Sequence, residues 1–175
     1  MVTMIVLDYF PRNKDRFLRL IEFCKEVLDI CSDFGISPIL NGSLAVFAYT
    51  KDEGMSVNDV DLACSEKEFP KIISALEERR ISYKLKEWHV LQIWKDDLKI
   101  EFDSVEYWYR DLSMAGETVQ IDTHRINMLS LKDLRELYQR GMKDTVNKTE
   151  ANDRRKYEAL SEKSKALEKV RGRVK

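Results

Sequence analysis

Apolar residues return every three or four positions between residues 12 and 34. Phe17, Leu20, Ile21, Cys24, Val27, Leu28, Cys31 and Phe34 make one stripe, the mark of an amphipathic helix. Gly35 follows where a helix C-cap takes glycine. The charge-free run from Phe34 to Thr50 then divides in three. Ile36 to Leu40 is short and apolar and suits a buried strand, Asn41-Gly42-Ser43 breaks it, and Leu44 to Tyr49 turns helical again. That run is too short and too interrupted for a spanning helix, which needs about 20 mostly apolar residues.

Beyond a polar loop at residues 51–56, Val57 to Cys64 alternates apolar and polar positions and predicts a strand. Ser65 and Glu68 have capping-box spacing ahead of a helix with Phe69, Ile72, Ile73 and Leu76 on its core face; Pro70 falls near its first turn. Ile81–Leu85, Trp88–Trp94 and Leu98–Val105 read as three strands, the last two joined by a Lys95-Asp96-Asp97 turn, and Gln120–Met128 as one more. Ser130 and Asp133 suggest a capped helix burying Leu134, Leu137, Tyr138 and Met142. Residues 150–170 form a charged helix with a thin stripe of Tyr157, Leu160, Leu167 and Val170. The fold class is α+β, a small mixed β-sheet flanked by helices over 1–126, followed by a C-terminal helical region over 127–175.

Composition narrows this further. A chain of 175 residues buries enough surface for a core without metal or disulfide staples. Three cysteines with no CxxC spacing indicate neither a disulfide framework nor a zinc knuckle, and Cys24 and Cys31 fall on the helix stripe. The N-terminus has no basic residue ahead of its apolar run, so no secretory signal is expected, and the expected compartment is the cytoplasm with no membrane partner. The formal net charge of −1 hides an asymmetry. Residues 1–126 carry 16 Lys and Arg against 23 Asp and Glu, whereas residues 127–175 carry 14 against 8. An acidic body and a basic C-terminal part, with four basic groups in the last seven residues, suggest two parts that attract each other or do separate work.

The candidate chemistry lies in the acidic body. Asp59 and Asp61 are two apart on a strand, so their side chains leave the same face while Val60 and Leu62 point to the other. Carboxylates a few ångströms apart repel unless a proton or cation lies between them, and Mg²⁺ prefers such oxygen ligands together with phosphates. Glu101 and Asp103 alternate with Ile100 and Phe102 in the same manner, and a strand beside the first would bring all these acids together. The Gly42-Ser43 turn, between a strand and a helix, offers backbone N–H groups, a hydroxyl and the positive end of a helix dipole to an anion such as phosphate. His89 lies in an apolar strand where a packing role is expected, and His124 beside Arg125 could touch a phosphate. Trp88, Trp94 and the Tyr107-Trp108-Tyr109 group are aromatic enough to stack a base.

In this order, Gly42-Ser43, Asp59-Val60-Asp61-Leu62 and Ile100-Glu101-Phe102 resemble the signature of minimal nucleotidyltransferases of the DNA polymerase beta-like superfamily. The closest resemblance is to the abortive-infection toxin branch (AbiEii-like). It implies a nucleotidyltransferase fold and a Mg²⁺- or Mn²⁺-dependent transfer of NMP from an NTP, such as ATP, to an acceptor hydroxyl. Asp59 and Asp61 would hold two metal ions, Glu101 would complete the metal site and help deprotonate the acceptor, and Asp103 is the fallback third acid. Gly42 and Ser43 would cradle phosphates, and Lys156, in Arg154-Arg155-Lys156, would reach the nucleotide. The acceptor could be an RNA end, a protein or a small molecule, with the basic C-terminal part favouring tRNA or a protein partner. The alternative is a non-catalytic nucleotide-binding or toxin–antitoxin partner protein of the same fold.

Overall fold

Eight strands, among the described residues of the computed structural model (3–114, 116–144 and 150–172), make one mixed sheet. In chain order the elements are β1 (Thr3–Ile5), α1 (Lys14–Asp33), β2 (Ile39–Asn41), α2 (Gly42–Thr50), β3 (Asp59–Cys64), α3 (Phe69–Glu78) and β4 (Ser82–Lys86). They continue with β5 (Val90–Lys95), β6 (Leu98–Ser104), the short α4 (Val105–Trp108), β7 (Gly116–Ile121), β8 (His124–Leu129), α5 (Leu131–Asp144) and α6 (Glu150–Gly172). The strand order is β1-β7-β8-β2-β3-β6-β5-β4. The pairs β1/β7, β2/β8 and β3/β6 are parallel and the other four antiparallel.

The α1 stripe is buried from Phe17 to Cys31, and Val60, Leu62, Ile100 and Phe102 join it in one core. Each such side chain contributes about 1.5–3 kcal/mol relative to exposure. Phe34, expected to close the stripe, is 43% exposed, because it is the C-cap and the chain has already left the helix. Gly35 follows at φ +65°, and the Ile36 N–H returns to the Cys31 carbonyl, the bond that closes a helix C-terminus. All three cysteines are free and buried, and loss of solvent pushes the Cys24 and Cys31 thiols up to about 12. Ser130 caps α5 as expected, accepting from the Asp133 N–H at 3.0 Å.

Four local readings need correction. Gln120–Met128 is not one strand: β7 and β8 form a hairpin around Asp122-Thr123, with Asp122 at φ +54°. Apolar positions on both sides hide that turn, because aspartate takes the left-handed conformation that a glycine would have announced. Trp88 and His89 precede β5 instead of opening it. His89 has φ +63°, and its ring is half exposed, 2.9 Å from the Glu66 carboxylate and stacked on Tyr107, so it has no place in an apolar strand. The Ser65/Glu68 capping box does not form; residues 66–68 make a 3₁₀ turn and the Ser65 hydroxyl donates to Glu106. β1, too short to show a pattern, extends the sheet by pairing with β7. The charge boundary at Ile126 falls inside β8, and residues 173–175 of the basic end lie outside the described residues. No helix among the described residues is long and apolar enough to cross a membrane.

Candidate active site

The parallel pairing of β3 with β6 sets Asp59 beside Lys99, Asp61 beside Glu101 and Ala63 beside Asp103. Along β6 the alternation is strict: Leu98, Ile100, Phe102 and Ser104 are buried, while Lys99, Glu101 and Asp103 are partly exposed. The four acids therefore share one face. Asn41 pairs with Asp61 from β2, and Gln92 pairs with Glu101 from β5, so one row of polar residues crosses four strands.

α2 starts directly above this row. Gly42, its first residue, has φ +65°, and a Cβ built there would fall 1.9 Å from Asp61 Oδ2. Glycine is required twice over, by backbone conformation and by the closeness of the Asp61 carboxylate. Ser43 is buried at the next position. Its hydroxyl accepts from Lys156 Nζ of α6 at 2.9 Å, and the Lys156 ammonium lies 5.4 Å from the Tyr138 ring of α5. Five of the six residues named from the sequence thus meet at the β2–α2 turn and the β3/β6 face, and Lys156 arrives from 113 positions away.

The electrostatics are unbalanced. Burial first, then Asp59, Asp103 and Glu101, drive the Asp61 pKa well above the carboxylate range. Burial also pushes Asp103 up to about 6, although the Tyr109 hydroxyl donates to it at 2.9 Å. The Asn41 amide nitrogen is buried nearby with no hydrogen-bond partner; it favours the charged Asp103 without completing a bond. Lys99 bridges the other two acids, at 3.2 Å from Asp59 and 2.5 Å from Glu101. Desolvation opposes the Lys99 charge, but Glu101 and Asp59 outweigh it and its pKa is raised. Gln92 also donates to Glu101, at 2.8 Å. Among the described residues no Lys or Arg pairs with Asp61, and no three acidic, histidine or cysteine side chains are already arranged around a point as metal ligands. The donor set nevertheless fits a hard divalent cation, since adjacent carboxylates on one face lack enough positive charge to be ionised together.

Two cavities meet at Asp61 and Tyr138. The first, about 540 Å³, is lined by Ser43, Asp59, Asp61 and the cations Arg12, Arg155 and Lys156. The second, about 400 Å³, holds Glu101, Asp103, Tyr109 and two tryptophans. The basic C-terminal part thus supplies two cations to the first cavity, and Arg155 also lies 3.6 Å from Asp52. His124 is paired with Asp29 at 2.8 Å and lines neither cavity. Lys99 was not among the residues expected from the sequence, although it sits on the Glu101 face of the same strand, a signal that alternation alone could have supplied. Arg12 carried no such signal, and Tyr109, read in the sequence among rings that could stack a base, instead donates its hydroxyl to Asp103.

No family model matches the chain, and no curated protein matches it in sequence. Solved structures do match. ANT(2'')-Ia in complex with adenylyl-2''-tobramycin superposes with TM-score 0.58 at 10% identity, over 89% of this chain and 98% of that one. The lincosamide antibiotic adenylyltransferase LnuA, lincomycin-bound, gives 0.56 at 13%, over 79% and 94%. An antigenic nucleotidyltransferase-like protein from Paracoccidioides brasiliensis gives 0.58 at 13%, over 86% and 77%.

The chain has the nucleotidyltransferase fold.

Within that fold the expected small mixed sheet and C-terminal helices are present, with α5 and α6 packed on each other and both against α2. The nucleotidyltransferase fold explains why a glycine turn, an acidic strand pair and a distant lysine converge: β2–α2, β3, β6 and α6 each bring one part to the same place.

Proposed function

We propose that this chain transfers NMP from an NTP, with ATP the first choice, to an acceptor hydroxyl with release of pyrophosphate. One observation carries the reading: the Asp59/Asp61 face adjoins a basic cavity at the Gly42-Ser43 turn and opens on its other side into an acidic one. Ser43, Lys156 and Arg155 bind and orient the triphosphate in the first cavity, where helix α2 presents its N-terminal N–H groups. Mg²⁺ or Mn²⁺, held by Asp59, Asp61 and Glu101, would neutralise charge on the phosphates and the leaving oxygen, as one or two such ions do in phosphoryl transfer. Asp103 takes the proton of the acceptor hydroxyl. Asp103 lines the second cavity and accepts from Tyr109, whereas Glu101 is held by both Lys99 and Gln92, and a general base works best with a pKa near the working pH. The acceptor oxygen bonds to the α-phosphorus as the bond to the bridging oxygen breaks, so the protein's task is chiefly positioning.

The neighbours named above for adenylyl transfer to antibiotics support ATP as donor and a small molecule as acceptor, ahead of tRNA or a protein. The likeness to the abortive-infection toxin branch rests on the sequence signature alone. A second reading, a non-catalytic nucleotide-binding or toxin–antitoxin partner of this fold, is favoured by Lys99, whose ammonium supplies charge between Asp59 and Glu101. Calorimetric titration of ATP with and without Mg²⁺, on wild type and Asp59→Asn/Asp61→Asn, tests the proposal. Metal-dependent binding lost in the double variant supports transfer, and metal-independent binding retained in it supports the non-catalytic reading. No nucleotide binding by the wild type would sink the transfer reading and favour a non-catalytic partner or structural role.

A further inference from the structure

Lys99 divides the four acids of the β3/β6 face into unequal sets. It lies beside Asp59 across the strand pair and two residues before Glu101 on β6, so its side chain leaves the sheet on the same side as both. The ammonium is 3.2 Å from Asp59 Oδ2 and 2.5 Å from Glu101 Oε1. Asp103 accepts from the Tyr109 hydroxyl instead, and Asp61 has neither partner. A cation of the chain itself thus fills part of the place that the donor set offers to a divalent ion. Its surroundings favour that position. Lys84 and Lys86 of β4 face Gln92 and Val90 of β5, which in turn face Glu101 and Asp103, so both lysines leave the same side of the sheet. Their like charge, on the flank away from β3, favours Lys99 turning toward Asp59 and Glu101.

The hold is exchangeable. The Lys99 and Asp59 side chains are each 31% exposed, and a lysine ammonium is a point charge on a flexible stem with three rotatable donors. Trp94, half-buried opposite Lys99 on β5, gives that stem an apolar wall to move along. Asp59 also lines the first cavity, so the ammonium stands at the edge of the space assigned to the triphosphate. Resting on the transfer reading above, we infer that Lys99 is a resident cation that holds Asp59 and Glu101 until nucleotide binds, so that a divalent ion enters with its NTP in preference to entering alone. In the nucleotide-free protein the ammonium competes with the ion for these two acids. When a triphosphate occupies the first cavity, its oxygens offer Lys99 a second anionic partner through charge-assisted hydrogen bonds. The ammonium turns to them and frees both carboxylates for the ion. No covalent bond forms or breaks in this exchange. Lys99 is a positioning residue, acting through the acids it holds and releases.

The test uses two probes: Mn²⁺ alone, followed by electron paramagnetic resonance of the free ion, and Mn²⁺–ATP, followed by calorimetry. The full chain is compared with Lys99→Met, Lys99→Gln and the charge-retaining Lys99→Arg, each checked for folding by circular dichroism. Both uncharged variants should bind Mn²⁺ alone about tenfold tighter than wild type, and Lys99→Arg should bind it no tighter than wild type. For Mn²⁺–ATP the advantage of the uncharged variants should shrink to about threefold or less. Equal or weaker binding of Mn²⁺ alone by the uncharged variants overturns the proposal, because a lysine that only props the acids in place would take metal affinity with it. An advantage undiminished with Mn²⁺–ATP overturns it as well. So does loss of the fold in both uncharged variants while Lys99→Arg folds, which would make the lysine a scaffold group. Failure of Mn²⁺–ATP to bind the wild type instead sinks the transfer reading, and the comparison with Mn²⁺ alone still reports on Lys99.

Discussion

The carboxylates of Glu106 and Asp61 receive opposite treatment from one fold. Glu106, at the start of α4, is mostly exposed. What burial it has opposes its charge, but the Ser65 hydroxyl, the Glu66 N–H at 2.9 Å and the Ser104 hydroxyl at 3.2 Å donate to it and pull its pKa down to about 2. Asp61 has Asp59, Asp103 and Glu101 around it, loses solvent, and is driven the other way. The first carboxylate is complete within the protein: it ties the β3–α3 turn to the end of β6. The second is incomplete without a proton or a cation from outside. Acids at a fold's expense mark where a charged ligand is needed, and acids with full donor sets mark joints of the scaffold.

Removing the incomplete acid has the largest expected effect. Asp61→Asn should lower nucleotidyl transfer by about a hundred- to thousandfold, measured as pyrophosphate release once an acceptor is supplied, while the protein stays folded. An unchanged rate would mean that Asp61 is as structural as Glu106. Gly42→Ala strikes the same carboxylate from the backbone side, through the positive φ and the contact of the new Cβ with Asp61. A loss of about 2–3 kcal/mol in urea unfolding is expected.

Lys156→Met removes a cation from the first cavity and the donor to Ser43. ATP affinity should fall about tenfold with little change in stability, as read by calorimetry. Glu106→Gln, by contrast, should leave ATP binding intact and cost about 1 kcal/mol of stability, because an exposed carboxylate loses part of its charge-assisted bonding to screening.

The pH dependence separates the two acids most finely. A raised pKa means that the folded protein holds the proton more tightly than the unfolded chain, so Asp103 and Asp61 remove stability as pH rises from about 4 through 6 and beyond. The lowered Glu106 pKa works in reverse, adding stability that is present above its ordinary value and lost as pH falls toward about 2. Melting temperature measured from pH 4 to 8 should therefore decline less in Asp61→Asn than in wild type. Added Mg²⁺ should restore the wild type at the alkaline end and leave the variant unmoved.

Elements whose signals are local are legible in the order of residues. The α1 stripe, the Gly35 terminus, the glycine turn before α2, the β3 and β6 alternation and the Ser130 cap depend on neighbours within a few positions, and each stands where its pattern puts it. The β7–β8 turn, the Trp88-His89 turn and β1 have no such local mark. Two of those depend on non-glycine residues accepting positive φ, and the third on a partner strand more than a hundred residues away.

The site divides along the same line. From the sequence alone came the acids on one strand face, the glycine-serine turn and the resemblance they form together, because period two and turn chemistry are properties of the chain itself. Only tertiary structure decided that β6 lies parallel to β3 in the register that sets Asp61 beside Glu101, and that Lys99 comes to rest between acids. It alone laid Lys156 on Ser43 and split the surroundings of Asp61 into a basic and an aromatic cavity. Those facts depend on which strands pair and which helices pack, and pairing is chosen by the burial of Val60, Leu62, Ile100 and Phe102 on the opposite face from the chemistry.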